Sequence, residues 1–228
     1  MNTDITALVP MKKQSERIPN KNRRMFDGAP LFHKILSTLS DVPAIKKIVV
    51  DTDSEEIKEE LNRNFSNVLI INRPEELQGN DVPMTEVIGH DLSQLDGEHF
   101  LQTHATNPLL TAPTISRSIS LYLAGLNKGH DSLLSACVIQ SRLYDKNAKP
   151  INHDLDACIN SQNLEPIYEE NSNIFIFSKT SFKARNHRIG TNPQIFEMSR
   201  IEGVDIDHEE DFRIAEILYK SRNTSLRK

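Results

Sequence analysis

The sequence has little of what marks secreted, membrane-spanning or nucleic-acid-binding proteins. Its only cysteines are Cys137 and Cys158, which form no C-x-x-C pair, so we expect a reducing compartment. No apolar run approaches the roughly 18 residues of a membrane span. Residues 1–4 lack the basic and apolar regions of a signal peptide, so the expected location is the cytoplasm. A net charge of -5 argues against a broad basic face for nucleic acid.

Glycine-rich phosphate motifs are missing as well. Neither the Walker A spacing nor G-x-G-x-x-G occurs, so any bound phosphate must be held by side chains. The chain also has no internal repeat and no low-complexity segment. Its 37% apolar and 26% charged residues are typical of a globular protein, and 228 residues suffice for a single domain over 1–228.

Short apolar runs alternate with helical patterns along most of the chain. Strands are predicted at 5–9, 47–51, 68–72, 99–102 and 132–137. Helices are predicted after Pro30, after Asp53 as N-cap with Glu56 in a capping box, over 84–95, and from Thr111 to Gly125. This alternation predicts an α/β fold with a mostly parallel sheet and helices on both faces.

The pattern breaks at 138–170, which is polar and has little periodicity. This stretch is either a loop or an arm that packs on a partner subunit, and 138–200 is our predicted dimerisation or substrate subregion. Further strands are predicted at 173–178, 195–198 and 201–206. A helix over 209–220 is expected to turn Phe212, Ala215 and either Leu218 or Tyr219 inward.

A cationic loop over 10–24 follows the first predicted strand and runs against the acidic background of the chain. Ligands of such sheets bind outside the carboxyl ends of the strands, where this loop lies. Lys12 and Lys21 can neutralise a polyphosphate, and Ser15 and Asn22 can donate hydrogen bonds to it. The alternative is a solvated surface loop that is merely basic.

Two acids, Asp205 and Asp207, alternate on the predicted strand 201–206 and its end. Side chains two residues apart on a strand share a face, about 7 Å apart, and could together hold a divalent cation such as Mg²⁺. The alternative is a structural role, with Asp207 as N-cap of the following helix and its acids suited to the helix dipole.

Polar groups also crowd the end of the predicted strand 99–102. Gln102, Thr106 and Asn107 suit a hydroxylated ligand, and His104 is either a base or a plain polar contact. Arg73 follows another strand and points into the same crevice. Residues 168–171, including Asn171, precede a strand and either reach the site or serve the structure.

These pieces occur together, and in order, in one family. The chain resembles the acylneuraminate (CMP-sialic acid) cytidylyltransferases, which include the CMP-Kdo synthetases. The matching segments span nearly the whole chain: P-x-K-x-x-S-x-R-I-P-x-K-N (10–22), G-A-P-L (28–31), V-V-D-T-D-S (49–54), R-P-E-E-L (73–77), L-Q then T-N-P-L (101–109), N-S-N-I-F-I-F (171–177) and V-D-I-D-x-E-E-D-F (204–212).

The resemblance implies a Rossmann-like nucleotidyltransferase that acts as a homodimer and joins CTP to a sugar acid, releasing pyrophosphate. It implies that the triphosphate is held by Lys12, Ser15, Lys21 and Asn22. Arg73 and the backbone near Asn80 and Val82 would bind the cytosine, and Gln102 would touch the sugar acid. Asp205 and Asp207 would bind Mg²⁺, and we expect Lys21 and Asp207 to carry catalysis.

Some positions depart from the family pattern, and all of them concern the acceptor or the phosphate loop. Lys12 stands where Arg is usual, Leu110 where Arg is common, and Asn171-Ser172 where Asn-Gly is usual. The acceptor is therefore a sialic acid, another 3-deoxy ulosonic acid or a non-sugar compound such as a phosphonate. An NDP-sugar pyrophosphorylase would usually carry a G-x-G-T-R loop, which is absent, and a non-catalytic sensor would have no need of the paired acids.

Overall fold

The computed structural model describes residues 4–157 and 159–225, with side chains up to Arg222. Cys158 and most of the region judged for a signal peptide lie outside the described residues. Within that part of the chain, no helix is both long and apolar enough to cross a membrane.

A central sheet of seven strands organises the molecule, in the spatial order β5-β4-β1-β6-β8-β7-β9. Its strands are β1 (Ile5–Leu8), β4 (Ile45–Thr52), β5 (Val68–Asn72), β6 (His99–Gln102), β7 (Ser132–Ile139), β8 (Ile167–Ser178) and β9 (Pro193–Glu197). A separate hairpin pairs β2 (Met25–Phe26) with β3 (Ala29–Pro30). The apolar runs of the sequence form the strands because both faces of the sheet are covered.

The sheet is mostly parallel, which confirms the prediction. Only β8 runs the other way, antiparallel to β6 and β7, while β7 and β9 pair in parallel. The carboxyl end of β6 therefore lies beside an interior position of β8, with Gln102 opposite Phe175, and the residues of β8 before Phe175 extend past that end. This reversal brings Asn171 and Ser172 to the edge where the parallel strands end.

A bulge interrupts β8 at the same edge. Pairing runs from Leu134 opposite Phe175 to Ala136 opposite Glu170, so β7 advances by two residues while β8 advances by five. Ser172, inside the bulge, has a φ of 56°, a left-handed conformation that favours glycine. In the family that this chain resembles, glycine is usual at position 172, and the left-handed backbone found there favours glycine.

Helices cover both faces, as predicted. They are α1 (Leu31–Ser40), α2 (Glu55–Asn64), α3 (Met84–Gln94), α4 (Ala112–Leu126), α5 (Lys179–Arg185) and α6 (Glu209–Ser225). One core joins α1, α2 and α4 to the sheet, and a second joins α3 and α5 to its other face. A third cluster packs Phe212 and Ala215 of α6 against Ile18 and Phe26, with Leu218 and Tyr219 partly buried beside them.

The predicted caps are partly right. Thr111 accepts a hydrogen bond from Thr114 N and caps α4 as expected. The N-cap of α2 is Ser54, whose hydroxyl accepts from Ile57 N, so the assignment of Asp53 is wrong. Asp53 instead accepts a hydrogen bond from Lys13 N at 2.6 Å and fixes the cationic loop.

Two assignments in the second half of the chain are also wrong. Residues 201–206 form a turn and an irregular segment, because their backbone finds single partners such as Thr106 O for Ile206 N instead of a ladder. Residues 138–139 and 167–170, assigned to the aperiodic stretch, belong to β7 and β8. In the connection between them, 140–166, the described residues form a short 3-10 turn and a bridge between Tyr144 and Pro150.

Candidate active site

A cavity of about 450 Å³ opens at the carboxyl edge of the sheet. Its walls come from the loop after β1, the segment after β5, the residues after β6, the bulge of β8 and the segment before α6. Most of the predicted site residues border it, namely Lys12, Ser15, Lys21, Asn22, Arg73, Asn80, Val82, Thr106, Asp205 and Asp207. The topology therefore brings together side chains that are far apart in the sequence.

The cationic loop is held in place from several sides. Met11 N donates to Asp51 O at 2.8 Å, and Asn22 Nδ2 donates to Lys12 O at 3.1 Å. Ile18 is buried in the third apolar cluster, which pins the middle of the loop beneath α6. A merely solvated loop would lack these anchors, so the cations are presented to the cavity by a fixed backbone.

Lys21 is tied to the acidic segment before α6. Its Nζ donates to Ile206 O at 2.5 Å and lies 3.4 Å from Asp207 Oδ1. Arg17 Nη1 reaches Asp207 Oδ2 at 2.9 Å. The negative charge of Asp207 thus lies between two cations at the wall of the cavity.

Arg73 is buried and forms an ion pair with Asp51. Asp91 of α3 lies against the same carboxylate, and burial, together with the charge of Asp51, raises the pKa of Asp91 to about 9. The two carboxyl groups therefore share one proton at neutral pH, which leaves a single negative charge for Arg73. Asp51, His90 and Asp91 bring ligand atoms within 4.8 Å of one another, but none of them borders the cavity.

Asn80 joins the two sides of one end of the cavity. Its Oδ1 accepts a hydrogen bond from Lys12 Nζ, and its Nδ2 donates to Glu16. Val82 borders the same end beside Arg73. The segment after β5 therefore contacts the loop after β1 directly.

Gln102 lies behind the cavity wall, fully buried, and is not among the residues that border the cavity. Its Oε1 accepts a hydrogen bond from Arg188 Nη1 at 2.6 Å, and its Nε2 lies 3.0 Å from His104 Nε2. An amide nitrogen can only donate, so His104 Nε2 accepts and its ring is neutral. Burial and the nearby charge of Arg188 lower the pKa of His104 to about 4, in agreement with that geometry.

Asn107 and Asn171 also lie outside the walls of this cavity. Asn107 is fully buried and its Nδ2 donates to Asp205 Oδ1 at 3.4 Å. Asn171 accepts from Ser135 Oγ at 2.6 Å and borders an adjoining cavity of about 420 Å³. The two cavities share Ser172 and Asp205 as lining residues.

Asp205 and Asp207 fit a hard divalent cation, although the predicted strand beneath them is not formed. Both carboxylates border the same cavity, and burial, together with the charge of Asp207, raises the pKa of Asp205. A bound cation would relieve that charge, and carboxylate oxygens are the donors that Mg²⁺ prefers. The N–H groups of Asp207 and His208 donate to Asp211 Oδ2, so this side chain of α6 holds the backbone of the segment before the helix.

Comparison with known protein families decides the family of the chain. A family model described as cytidylyltransferase matches residues 6–224. The chain belongs to the cytidylyltransferase family.

Relatives of this cytidylyltransferase carry sugar-acid names. The chain is 28% identical over 234 residues to N-acylneuraminate cytidylyltransferase of Escherichia coli O18:K1:H7, covering 98% of the chain and 54% of that protein. It therefore spans about half the length of that relative. It is 26% identical to the CMP-N,N'-diacetyllegionaminic acid synthase of Legionella pneumophila, covering 97% of the chain and 99% of the relative.

A solved structure confirms the Rossmann-like fold of the cytidylyltransferase. CMP:2-keto-3-deoxy-manno-octonic acid synthetase, solved in complex with CTP, superposes with a TM-score of 0.69 over 96% of this chain and 99% of its own. At 10% sequence identity this likeness concerns the fold alone.

Arg17, Ser172 and Arg188 are among the residues that border the cavity of the cytidylyltransferase and that sequence reasoning did not assign to the site. Arg17 lies inside the recognised loop, so its charge was a usable signal. Arg188 lies 86 positions from Gln102, its hydrogen-bond partner, in a loop after a short helix. No local pattern marks such a residue, because only the antiparallel course of β8 brings the two together.

Proposed function

We propose that this cytidylyltransferase transfers CMP from CTP to a sugar acid and releases pyrophosphate. The observation that carries the proposal is the single cavity that combines the fixed cationic loop with the paired carboxylates Asp205 and Asp207. The names of the relatives favour a sugar acid over a phosphonate. A sensor would not need a metal-binding pair beside Lys21.

In the proposed mechanism a hydroxyl oxygen of the acceptor attacks the α-phosphorus of CTP in line. The new bond joins that oxygen to phosphorus, the bond between the α-phosphorus and the bridging oxygen breaks, and pyrophosphate leaves with the bonding electrons while the hydroxyl proton passes to solvent. Lys12 and Lys21, with Ser15 and Asn22, are assigned to the triphosphate, and Arg73, Asn80 and Val82 to the cytosine. Lys21 and Arg17 stabilise the negative charge that develops on the phosphates.

Asp205 and Asp207 are assigned to Mg²⁺, which when bound supplies charge neutralisation at the phosphates. Asn107 supports this assignment because its amide contacts Asp205 Oδ1 and orients that carboxylate. Thr106 borders the cavity next to Asp205 and is assigned to the acceptor with Asn171, which borders the adjoining cavity.

A homodimer is part of the proposal, with 138–200 as the subregion that contributes to dimerisation and substrate binding within one domain. The connection 140–166 exposes Tyr144, Ile151, Leu155 and Ile159, and Tyr168 follows at the start of β8. Apolar side chains clustered in one segment favour burial against another protein surface. A cytoplasmic location stays a prediction, which the small number of cysteines favours.

The deciding experiment measures pyrophosphate release from CTP and Mg²⁺ with a panel of sugar acids, beside ATP, UTP and GTP. Release with CTP and one acid supports the proposal and names the acceptor. If no acid of the panel supports pyrophosphate release while CTP still raises the melting temperature, the result contradicts a role of the tested sugar acids as acceptors. If no pyrophosphate is released and CTP does not raise the melting temperature, the result contradicts the binding of CTP.

A further inference from the structure

Arg188 is a fixed cation at the wall of the cavity. Its guanidinium lies 3.6 Å from the centroid of the Phe175 ring, and its Nη1 donates to Gln102 Oε1 at 2.6 Å. The ring contact and the hydrogen bond hold the planar group from two directions. An arginine held in this way binds a ligand without losing much further side-chain freedom.

The charge of Arg188 lacks the partner that the other arginines at the cavity have. Arg17 and Arg73 each form an ion pair with an aspartate. Among the described residues, Arg188 forms no ion pair with a carboxylate, and Glu170 acts on it only through space. Burial lowers the pKa of Arg188, because a buried cation without a close anion is unfavourable. An anionic ligand would compensate that charge.

The neighbours of Arg188 hold its side chain in place at the wall of the cavity. Gln102 Nε2 donates to Thr103 O at 3.1 Å and lies 3.0 Å from His104 Nε2, so the amide oxygen is the atom left for Arg188. A reversed amide would set an NH₂ group against the guanidinium. Since His104 is neutral, it adds no second positive charge. One guanidinium hydrogen bond goes to Gln102, and an arginine has five N–H donors.

The position of Arg188 matches the acceptor end of the cavity. The residues assigned to the nucleotide lie on the loop after β1 and the segment after β5, whereas Arg188 packs on Phe175 of β8 and contacts Gln102 at the end of β6. The adjoining cavity of about 420 Å³ meets the first one at Ser172 and Asp205 and gives the acceptor further room.

We propose that Arg188 binds the carboxylate of the acceptor through a paired set of N–H···O hydrogen bonds, with Gln102 as its positioning residue. This inference rests on the proposed function and deepens it, because it states which group of the acceptor is recognised and by which side chain. The fork of a guanidinium matches the two oxygens of a carboxylate, and the single negative charge of that group compensates the charge of Arg188.

The test compares wild type with Arg188→Gln and Arg188→Lys, using the acid that supports pyrophosphate release and the methyl ester of that acid. Arg188→Gln is expected to raise KM for the acid roughly 10- to 100-fold and to leave KM for CTP within about twofold. Lysine should restore part of the loss, because it keeps the charge but lacks the fork. Lys183→Gln, which removes an exposed positive charge from α5, is the matched control and should match wild type.

The ester separates binding from a structural effect. Wild type should prefer the acid strongly, and Arg188→Gln should treat acid and ester nearly alike, while thermal protection by CTP reports that the variant is folded. An unchanged preference in a folded Arg188→Gln would overturn the assignment of Arg188 and leave the proposed function standing. Absence of wild-type release with every acid would overturn the proposed function and this inference together.

Discussion

At the residue scale, Asp207 carries the clearest expectation for catalysis. Asp207→Asn keeps the shape of the side chain but removes the charge that Lys21 and Arg17 surround. The rate of pyrophosphate release should fall by about 100-fold or more, because a pre-organised charged group at the reacting phosphate is lost. The free energy of unfolding should change little, since partly exposed ion pairs contribute about 1 kcal/mol or less.

Steady-state kinetics and urea unfolding measure both quantities for Asp207→Asn. Glu210→Gln, which removes an exposed acid from the first turn of the same helix, serves as the control and should keep the wild-type rate. A near-normal rate in Asp207→Asn would remove Asp207 from the metal assignment.

The protonation of Asp91 makes the free energy of unfolding depend on pH. Its pKa rises from an ordinary value of 3.8 to about 9 in the folded protein, so the folded state binds this proton more tightly than the unfolded state. The stability that Asp91 contributes is therefore complete below about pH 3.8 and is lost as the pH rises towards about 9. For one proton, the slope is at most about 1.4 kcal/mol per pH unit.

Asp91→Asn should remove this loss, so the variant should gain stability over wild type as the pH rises. Urea unfolding at pH 5, 7 and 8.5 measures the difference between the two proteins. Asp96→Asn, at an exposed position near the end of α3, is the control and should show no such trend. A constant difference between Asp91→Asn and wild type across these pH values would contradict the shared proton.

At the element scale, Ile18 links the cationic loop to α6. Ile18→Ala leaves a cavity among Phe26, Phe212 and Ala215, and it should lower the free energy of unfolding by about 2–5 kcal/mol. KM for CTP should rise as well, because the loop that carries Lys12 and Lys21 loses an anchor. Ile217→Ala, at an exposed position of α6, should have little effect in either measurement. Equal stability of the two variants would show that Ile18 is not an anchor.

The elements also show what the sequence could predict. Periodicity located β1, β4, β5 and β6 and the helices between them, because each has a buried face that local patterns report. It could not report the direction of β8, since a strand buried on both faces reads the same whichever way it runs. It predicted a strand at 201–206 from alternating apolar residues, where Gly203 packs against Cys137 and allows a turn.

The residues of the candidate site likewise divide into those that the sequence indicates and those that only the fold brings together. Lys12, Lys21 and Asp207 stood out because their charges cluster in short segments, and the topology gathers those segments at one cavity. Gln102 stood out at a strand end, yet the fold turns it behind the cavity wall. Arg188 depends on a long-range contact with Gln102, and such contacts leave no mark in a single sequence.

At the scale of the whole molecule, the exposed apolar residues of 140–166 predict self-association. Ile151→Glu with Leu155→Glu should convert a dimer to a monomer, because two buried charges would have no partner in the interface. Sedimentation velocity at micromolar concentration measures the mass. Ile217→Glu, an equally exposed apolar position on α6, should leave the dimer intact. A monomeric wild type would contradict the homodimer, and a dimeric double variant would place the interface elsewhere.

The bulge in β8 has a consequence for how this region tolerates changes in length. Its three extra residues are an odd number, so they invert the alternation of side chains and set Glu169 on the same face as Cys137, with which it pairs. Deleting one residue of 171–173 would leave an even number of extra residues, so a regularly alternating strand would give the side chains of 167–170 the facing that they already have. Deleting two would leave one extra residue, and that facing would again require a bulge. The parity of this short stretch decides whether β8 needs an irregular backbone beside the cavity.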